Sequence, residues 1–197
     1  MSDEEKSGGS TAAPEGPANE EQKDTGCTEA VRAPLIAAKP GPSEVAEATG
    51  GLVREALLNA VRGGHDLLDA ASEAGAGVAG AASKGAVTLW LAARGAGAGT
   101  VAAAHELSRD PQPALNAITR SMMNEMLSSD GDFGAAAKGA VEGAIWGYDL
   151  AGLEPGLGCR LTAKVALETA REARFGAGER VRHILREPID TYETGIE

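Results

Sequence analysis

The histidines and cysteines are the residues of this sequence best suited to bind a metal or act as a base or nucleophile. His65 stands four residues before Asp69, and Glu179 stands four before His183, so each pair would share one face of a helix and could supply two metal ligands. A di-metal helical bundle requires Glu-x-x-His pairs instead, and no histidine here has Glu three residues before it. Exposed helical pairs of this kind are far commoner than metal sites. We therefore predict no metal and no other cofactor.

The sequence also contains no clear nucleophile and no clear phosphate-binding loop. Cys159 follows a Gly-rich break near a predicted helix start, where the helix dipole would lower the thiol pKa. A buried, unreactive thiol is the reading we favour. The stretch GAGAGT (residues 95–100) lacks the lysine of the Walker pattern and a preceding strand. No Ser-His-Asp order stands out, and we predict that the chain is not an enzyme.

A repeated octapeptide is the most conspicuous pattern: GAASKGAV (80–87) returns as GAAAKGAV (134–141). Small residues spaced four apart line one flank of a helix and let two helix axes approach more closely than the usual 8–10 Å. The pattern predicts close helix packing, although Ala/Gly-rich sequence also produces such spacing by chance. The glycines to which we assign this role are Gly85, Gly95, Gly99, Gly139, Gly143 and Gly147.

Large aromatic residues are rare in this chain, and three of them follow copies of the octapeptide: Trp90, Trp146 and Tyr148. We expect them to fill equivalent gaps in the core. The alternative is an anchor on a partner, a polymer or a lipid surface.

A longer period accompanies the octapeptide. GTVAAAHELSRDP (99–111) aligns with GAIWGYDLAGLEP (143–155) at an offset of 44, and DFGA (132–135) aligns with RFGA (174–177) at an offset of 42. Two-helix units of about 40 residues are typical of stacked repeats, and duplicated hairpins in one bundle explain the pattern equally well. We predict an all-α, Ala/Gly-rich helical bundle built from duplicated helical hairpins.

Capping residues and prolines divide the chain. Ser43, Asp110, and Asp132 or Asp130 are the expected N-caps, and the last short helix ends before Pro188. The predicted organisation is a disordered, acidic, Pro/Gly-rich tail (1–42), a helical domain (43–187) and an acidic C-terminal tail (188–197). No stretch alternates strongly enough to predict a strand.

The net charge of −11 makes nucleic-acid binding unlikely, because that binding depends on basic residues that neutralise phosphates. The most apolar window, 85–104, contains Arg94 and is mostly Ala and Gly, so a membrane span is not expected. No signal peptide is visible, and the two cysteines lie far apart in the predicted organisation. These features indicate a cytoplasmic protein, either free or peripheral to a membrane or granule.

The segment KGAVEGAIWGYDLAGLEP (138–155) resembles the repeats of uncharacterised bacterial Ala/Gly-rich helical proteins and glycine-zipper segments. The resemblance carries no catalytic motif and implies no activity. From the residues we predict a non-enzymatic interaction or assembly protein that is a homo-oligomer or binds a protein partner. The alternatives are a glycine-zipper protein that inserts into membranes and a small-ligand or metal-binding helical bundle.

Overall fold

A computed structural model describes residues 26–196, which form eight α-helices and, apart from one isolated bridge between Ile189 and Tyr192, no β-structure. The all-α prediction is confirmed. The helices are α1 (Cys27–Ala38), α2 (Val45–Arg62), α3 (Leu67–Ser83), α4 (Leu89–Glu106), α5 (Pro111–Ser128), α6 (Phe133–Leu150), α7 (Pro155–Ala173) and α8 (Ala177–Leu185).

The helices recur with a constant step. Helices α2 to α8 begin at residues 45, 67, 89, 111, 133, 155 and 177, which is one helix every 22 residues. Two helices therefore make a unit of 44 residues, the offset at which the sequence aligned with itself. Helix α1 keeps the same register, since Gly77 of α3 lies against the Thr28 carbonyl of α1 and, one period later, Ser121 of α5 bonds to the Ser72 carbonyl of α3. We call the successive helix pairs unit 1 (α1–α2), unit 2 (α3–α4), unit 3 (α5–α6) and unit 4 (α7–α8).

The units stack in two layers. Helix α3 packs between α1 and α5, and α5 packs between α3 and α7, which makes one layer of odd-numbered helices. In the other layer α4 packs between α2 and α6, and α6 is followed by α8. Each unit thus contacts its sequence neighbours, which is the architecture of a helical repeat protein.

The turn that connects one unit to the next is also repeated. Helices α2, α4 and α6 are each followed by a residue with left-handed backbone conformation. These residues stand one period apart, at Gly64, Ser108 and Gly152. One residue later, a backbone N–H donates to the carbonyl five residues before it, at 2.8–3.0 Å, as in a Schellman motif: His65 to Ala60, Arg109 to Ala104, and Leu153 to Tyr148.

The helix starts follow only in part from the predicted caps. The side chain of Asp110 accepts a hydrogen bond from the Gln112 N–H, and that of Asp132, not Asp130, accepts one from Ala135. Asp66 caps α3 in the same way as Asp110, one period earlier. The N-cap of α2 is Glu44 rather than Ser43, and its side chain makes no capping bond.

The predicted N-terminal tail extends too far where the structure describes it. Residues 26–42, assigned to a disordered tail, contain α1, which buries Val31 and Leu35 because these residues share one helical face against α2 and α3. Residues 1–25, the rest of that tail, and residue 197 lie outside the described residues. Residues 188–196 form no helix, yet Ile189 and Thr194 are buried, and the Thr194 hydroxyl donates to the Leu185 carbonyl.

The octapeptide is not a structural repeat. Its first copy covers the end of α3 and the turn that follows, whereas its second copy lies wholly inside α6. The two copies are 54 residues apart, which is out of register with the 44-residue period. Residues that pack in one copy consequently lie in a turn in the other.

Candidate interaction surface on helices α4 and α6

Glycines bring the even helices into backbone contact, and the contacts repeat with the period. Gly95 of α4 lies against the carbonyl oxygen of Ala46 in α2, and one period later Gly139 of α6 lies against that of Trp90 in α4. A β-carbon at either glycine would overlap that oxygen. The same relation holds for two further pairs, Gly99 with the Gly50 carbonyl and Gly143 with the Arg94 carbonyl.

Gly147 continues this line, because a β-carbon there would lie 2.8 Å from Cβ of Val101. Gly85 does not belong to it. It lies in the turn between α3 and α4 with φ of 69°, and nothing approaches within 4 Å of the position of its missing β-carbon. Its role is to allow the left-handed turn, so the assignment of Gly85 to helix packing is wrong.

Trp90 connects α4 and α6 beside the contacts of Gly139 and Gly143, which we call the α4–α6 seam. Its indole Nε1–H donates a 2.8 Å hydrogen bond to Oε2 of Glu142, whose side chain is almost fully buried. The Nζ of Lys138, one turn earlier on α6, lies 4.0 Å from the other carboxylate oxygen. A buried carboxylate thus bridges an indole and an ammonium group.

Burial dominates the electrostatics of Glu142. Loss of solvation raises the pKa of its carboxyl group above the ordinary value of 4.5, while the Trp90 hydrogen bond and the charges of Lys138 and Arg94 oppose the shift. The negative charge of Asp190, in the C-terminal segment, adds to the increase. The carboxyl group is therefore easier to protonate than an exposed glutamate.

Arg94 and Trp146 form the second pair of the surface. The guanidinium carbon of Arg94 lies 5.5 Å from the centroid of the Trp146 ring, within the range of a cation–π interaction. Among residues 26–196, the buried Nε of Arg94 has no hydrogen-bond acceptor. Both side chains are partly exposed, so an aromatic ring and a guanidinium group meet the solvent together.

Tyr148 is a packing residue. Its ring is buried against Gly158 of α7, and its hydroxyl donates a 3.0 Å hydrogen bond to Oε1 of Gln112 in α5. Burial, together with the charge of Asp110, raises the pKa of the Tyr148 hydroxyl to about 12. The residue holds α6 against the neighbouring helices.

The three aromatic residues do not fill equivalent gaps. Trp90 is the second residue of α4, whereas Trp146 and Tyr148 lie in the last turns of α6, so they occupy different positions of the 44-residue unit. Trp90 and Trp146 nevertheless belong to the same surface. Sequence reasoning missed Glu142, for which the available signal was a single acidic residue amid Ala and Gly.

The residues with metal-binding or nucleophilic potential are scattered. His65 and Asp69 line an open cavity of about 250 Å³ between α1, α2 and α3, and His183 and Glu179 are exposed on α8. Within the described part of the chain, no three His, Cys, Asp or Glu side chains come together as a metal site. Burial raises the pKa of the Cys159 thiol to about 11, which agrees with an unreactive thiol and not with activation at a helix start.

Across residues 26–196, none of the helices combines the length and apolar character that a transmembrane span requires. No family model, no curated protein and no solved structure matches the chain.

Proposed function

We propose that this protein is a non-enzymatic helical-repeat protein that binds protein partners and assembles with copies of itself. The observation that carries the proposal is the recurrence of the packing contacts with the 44-residue period, as in Gly95 with Ala46 and Gly139 with Trp90. Stacked units of this kind produce continuous outer faces, which repeat proteins use for binding.

The partner surface that we propose consists of Trp90, Arg94, Lys138 and Trp146 on the outer side of α4 and α6. Tryptophan and arginine are the residue types that dominate binding energy in protein interfaces. Here the two tryptophans of the chain lie on one seam, with two cations close by. The partly exposed guanidinium group of Arg94 supports a partner that offers a hydrogen-bond acceptor.

Assembly with copies of itself rests on other positions, because Gly139 and Gly143 are covered by α4 of the same chain. Attachment to a granule or membrane surface and a cytoplasmic location stay predictions, as does the expectation that nucleic acid is not a partner. The last expectation rests on the net charge of −11.

Affinity capture from the native cell, with the full chain as bait, tests the partner surface. We expect at least one captured protein to be lost with Trp146→Ala and with Arg94→Gln. Phe175→Ala is the matched control, since Phe175 is a fully exposed aromatic residue at the turn between α7 and α8. Circular dichroism establishes that each variant is folded.

Capture of the same proteins by the wild type and by both surface variants would contradict the proposed surface, as would capture of none. The chain has only two tryptophans. Intrinsic fluorescence therefore reports directly on this surface, and a purified partner that binds there should change it.

A further inference from the structure

One side of α2, at the start of the stack, has no neighbouring helix among the described residues. The equivalent sides of α4 and α6 are covered by the preceding even-numbered helix. Gly51 stands one period before Gly95 and two before Gly139, and both of those glycines touch the backbone of the preceding even helix. Nothing among the described residues lies within 4 Å of the β-carbon position of Gly51. Helix α2 thus retains a site for close approach that no neighbour in residues 26–196 uses.

The period also identifies the residues at the opposite edge. In the layer of even-numbered helices, two of the carbonyl groups that contact a glycine of the next unit belong to Gly50 in unit 1 and Arg94 in unit 2. Two periods after Arg94, the equivalent residue in unit 4 is Arg182. The glycines that approach them, Gly99 and Gly143, correspond to Glu55 in unit 1.

The odd layer follows the same rule. Gly77 of α3 lies against the Thr28 carbonyl of α1, and one period later the Ser121 hydroxyl donates a 2.6 Å hydrogen bond to the Ser72 carbonyl. The equivalent of Thr28 and Ser72 in unit 4 is Arg160. The equivalent of Gly77 and Ser121 in unit 1 is Ala33, which is exposed.

The two edges have opposite charge at these positions. The unit 4 edge consists of Arg160 and Lys164 on α7 and Arg182 and Arg186, on α8 and just after it. The unit 1 edge has two carboxylates, Glu29 and Glu55, and beside them two residues small enough for close approach, Ala33 and Gly51. Basic side chains thus dominate one end of the stack, and acidic or small ones prevail at the other, where the exposed Arg62, the equivalent of Glu106, is a basic exception.

We infer that copies of this chain stack head to tail, with the unit 4 edge of one copy packed on the unit 1 edge of the next. This inference rests on the proposed assembly function and specifies how it works. The junction would repeat the contact made between successive units, with Gly51 of the second copy against the α8 backbone of the first and Glu55 beside Arg182.

Existing ion pairs at the edges do not prevent this. Arg160 lies 3.3 Å from Glu154, and Arg182 lies 2.8 Å from Glu179, while Glu29 pairs with Arg32. These pairs involve partly or largely exposed side chains, and such pairs contribute about 0–1 kcal/mol each. They can be exchanged for pairs across the junction. Because the two edges differ, the association is heterologous and continues into open chains.

Sedimentation velocity of the full chain over a range of concentrations tests the inference. We expect species at successive multiples of 19.9 kDa. The population of the larger species should fall as salt concentration rises, because salt screens exposed charges. Gly51→Leu should weaken association at least tenfold without harming the monomer, because the position is open and leucine favours the helix more than glycine. Asn124→Leu, at an exposed position of α5 away from both edges, is the matched control.

Charge reversal provides the second test. Glu55→Lys and Arg182→Glu should each weaken association, and an equimolar mixture of the two should restore it, because each then meets a complementary edge. Glu125→Lys on the exposed face of α5 controls for the change in net charge.

A wild-type chain that is monomeric at every concentration would overturn the inference, as would assembly that stops at a dimer or that Gly51→Leu leaves unchanged. A dimer would indicate a closed, two-fold contact, and a strict monomer would be expected if another part of the chain covered the α2 edge. In each case, capture of a partner through Trp146 would still support the proposed function, so the two failures are distinguishable.

Discussion

The indole of Trp90 donates its hydrogen bond to the carboxylate of Glu142, 52 residues further along the chain. This bond spans the seam at which Gly139 and Gly143 bring α6 onto the backbone of α4. Close backbone approach therefore has a consequence beyond packing: it places an acidic side chain of one helix, out of water, within reach of an aromatic side chain of the next.

Replacement of Trp90 by phenylalanine should lower the free energy of unfolding at pH 8 by about 1.5–3 kcal/mol, because a hydrogen bond to a buried charged group is lost. Urea titration followed by circular dichroism measures this. Trp146→Phe is the control, since it retains an aromatic ring beneath Arg94 and should have a smaller effect. Equal stability of the Trp90 variant and the wild type would show that the bond contributes nothing.

Glu142→Gln should change the pH dependence of stability in a defined direction. The pKa of Glu142 is raised in the folded state, so the folded chain binds a proton more readily than the unfolded chain. The wild type therefore loses stability as pH rises from the unfolded-state pKa, near 4.5, through the folded-state pKa.

Glutamine has no such titration and keeps an acceptor for Trp90. We expect the variant to gain stability relative to the wild type between pH 4.5 and pH 8, measured by urea titration at each pH. A stability difference that is constant across this range would contradict the raised pKa.

Gly143→Ala and Gly51→Ala make the same chemical change on two even-numbered helices and should have opposite effects. A methyl group at Gly143 would overlap the Arg94 carbonyl, and overpacking typically costs about 1–3 kcal/mol. At Gly51 the methyl group meets open space, and alanine is favoured over glycine in a helix by about 1 kcal/mol. Urea titration of both variants in parallel, at a concentration where the chain is monomeric, provides the comparison. Unchanged stability of the Gly143 variant would show that its contact is loose, and destabilisation by Gly51→Ala would show that this position is covered.

Cys159 should react slowly with thiol reagents. Its thiol is buried and its pKa is raised to about 11, so the reactive thiolate is scarce at pH 8. In a Cys27→Ser background, we expect labelling of the native protein to be at least about 100-fold slower than labelling in denaturing urea. A native rate close to the rate in urea would indicate an accessible, activated thiol.

Sequence periodicity and caps predicted much of the fold. The 44-residue offset between residues 99–111 and 143–155 corresponds to the structural unit, and Asp110 and Asp132 cap helices as expected. Helix α1 could not be found in this way, because its burial depends on Val31 and Leu35 meeting α2 and α3, and local composition around Pro34 resembles a tail.

The octapeptide misled for a related reason. Identical residues at 80–87 and 134–141 take different structures, because a turn must follow α3 where the chain has to reach α4, whereas α6 continues. Local sequence does not contain that requirement. The pairing of Trp90 with Glu142 was likewise invisible, since it depends on how far α6 slides along α4.

The constant 22-residue step makes the length of this molecule adjustable in fixed increments. If residues 67–110 were removed, Gly139 would arrive where Gly95 now meets the Ala46 carbonyl, and the next glycine, Gly143, would arrive opposite Gly50. The helix boundaries on either side of the excision would match, whereas Glu142 would face Ala46 in place of Trp90 and would lose its hydrogen bond. Tandem gain or loss of genetic material in this region would thus preserve the stacking of the units and both end units, with the side chains at the new junction left to adapt.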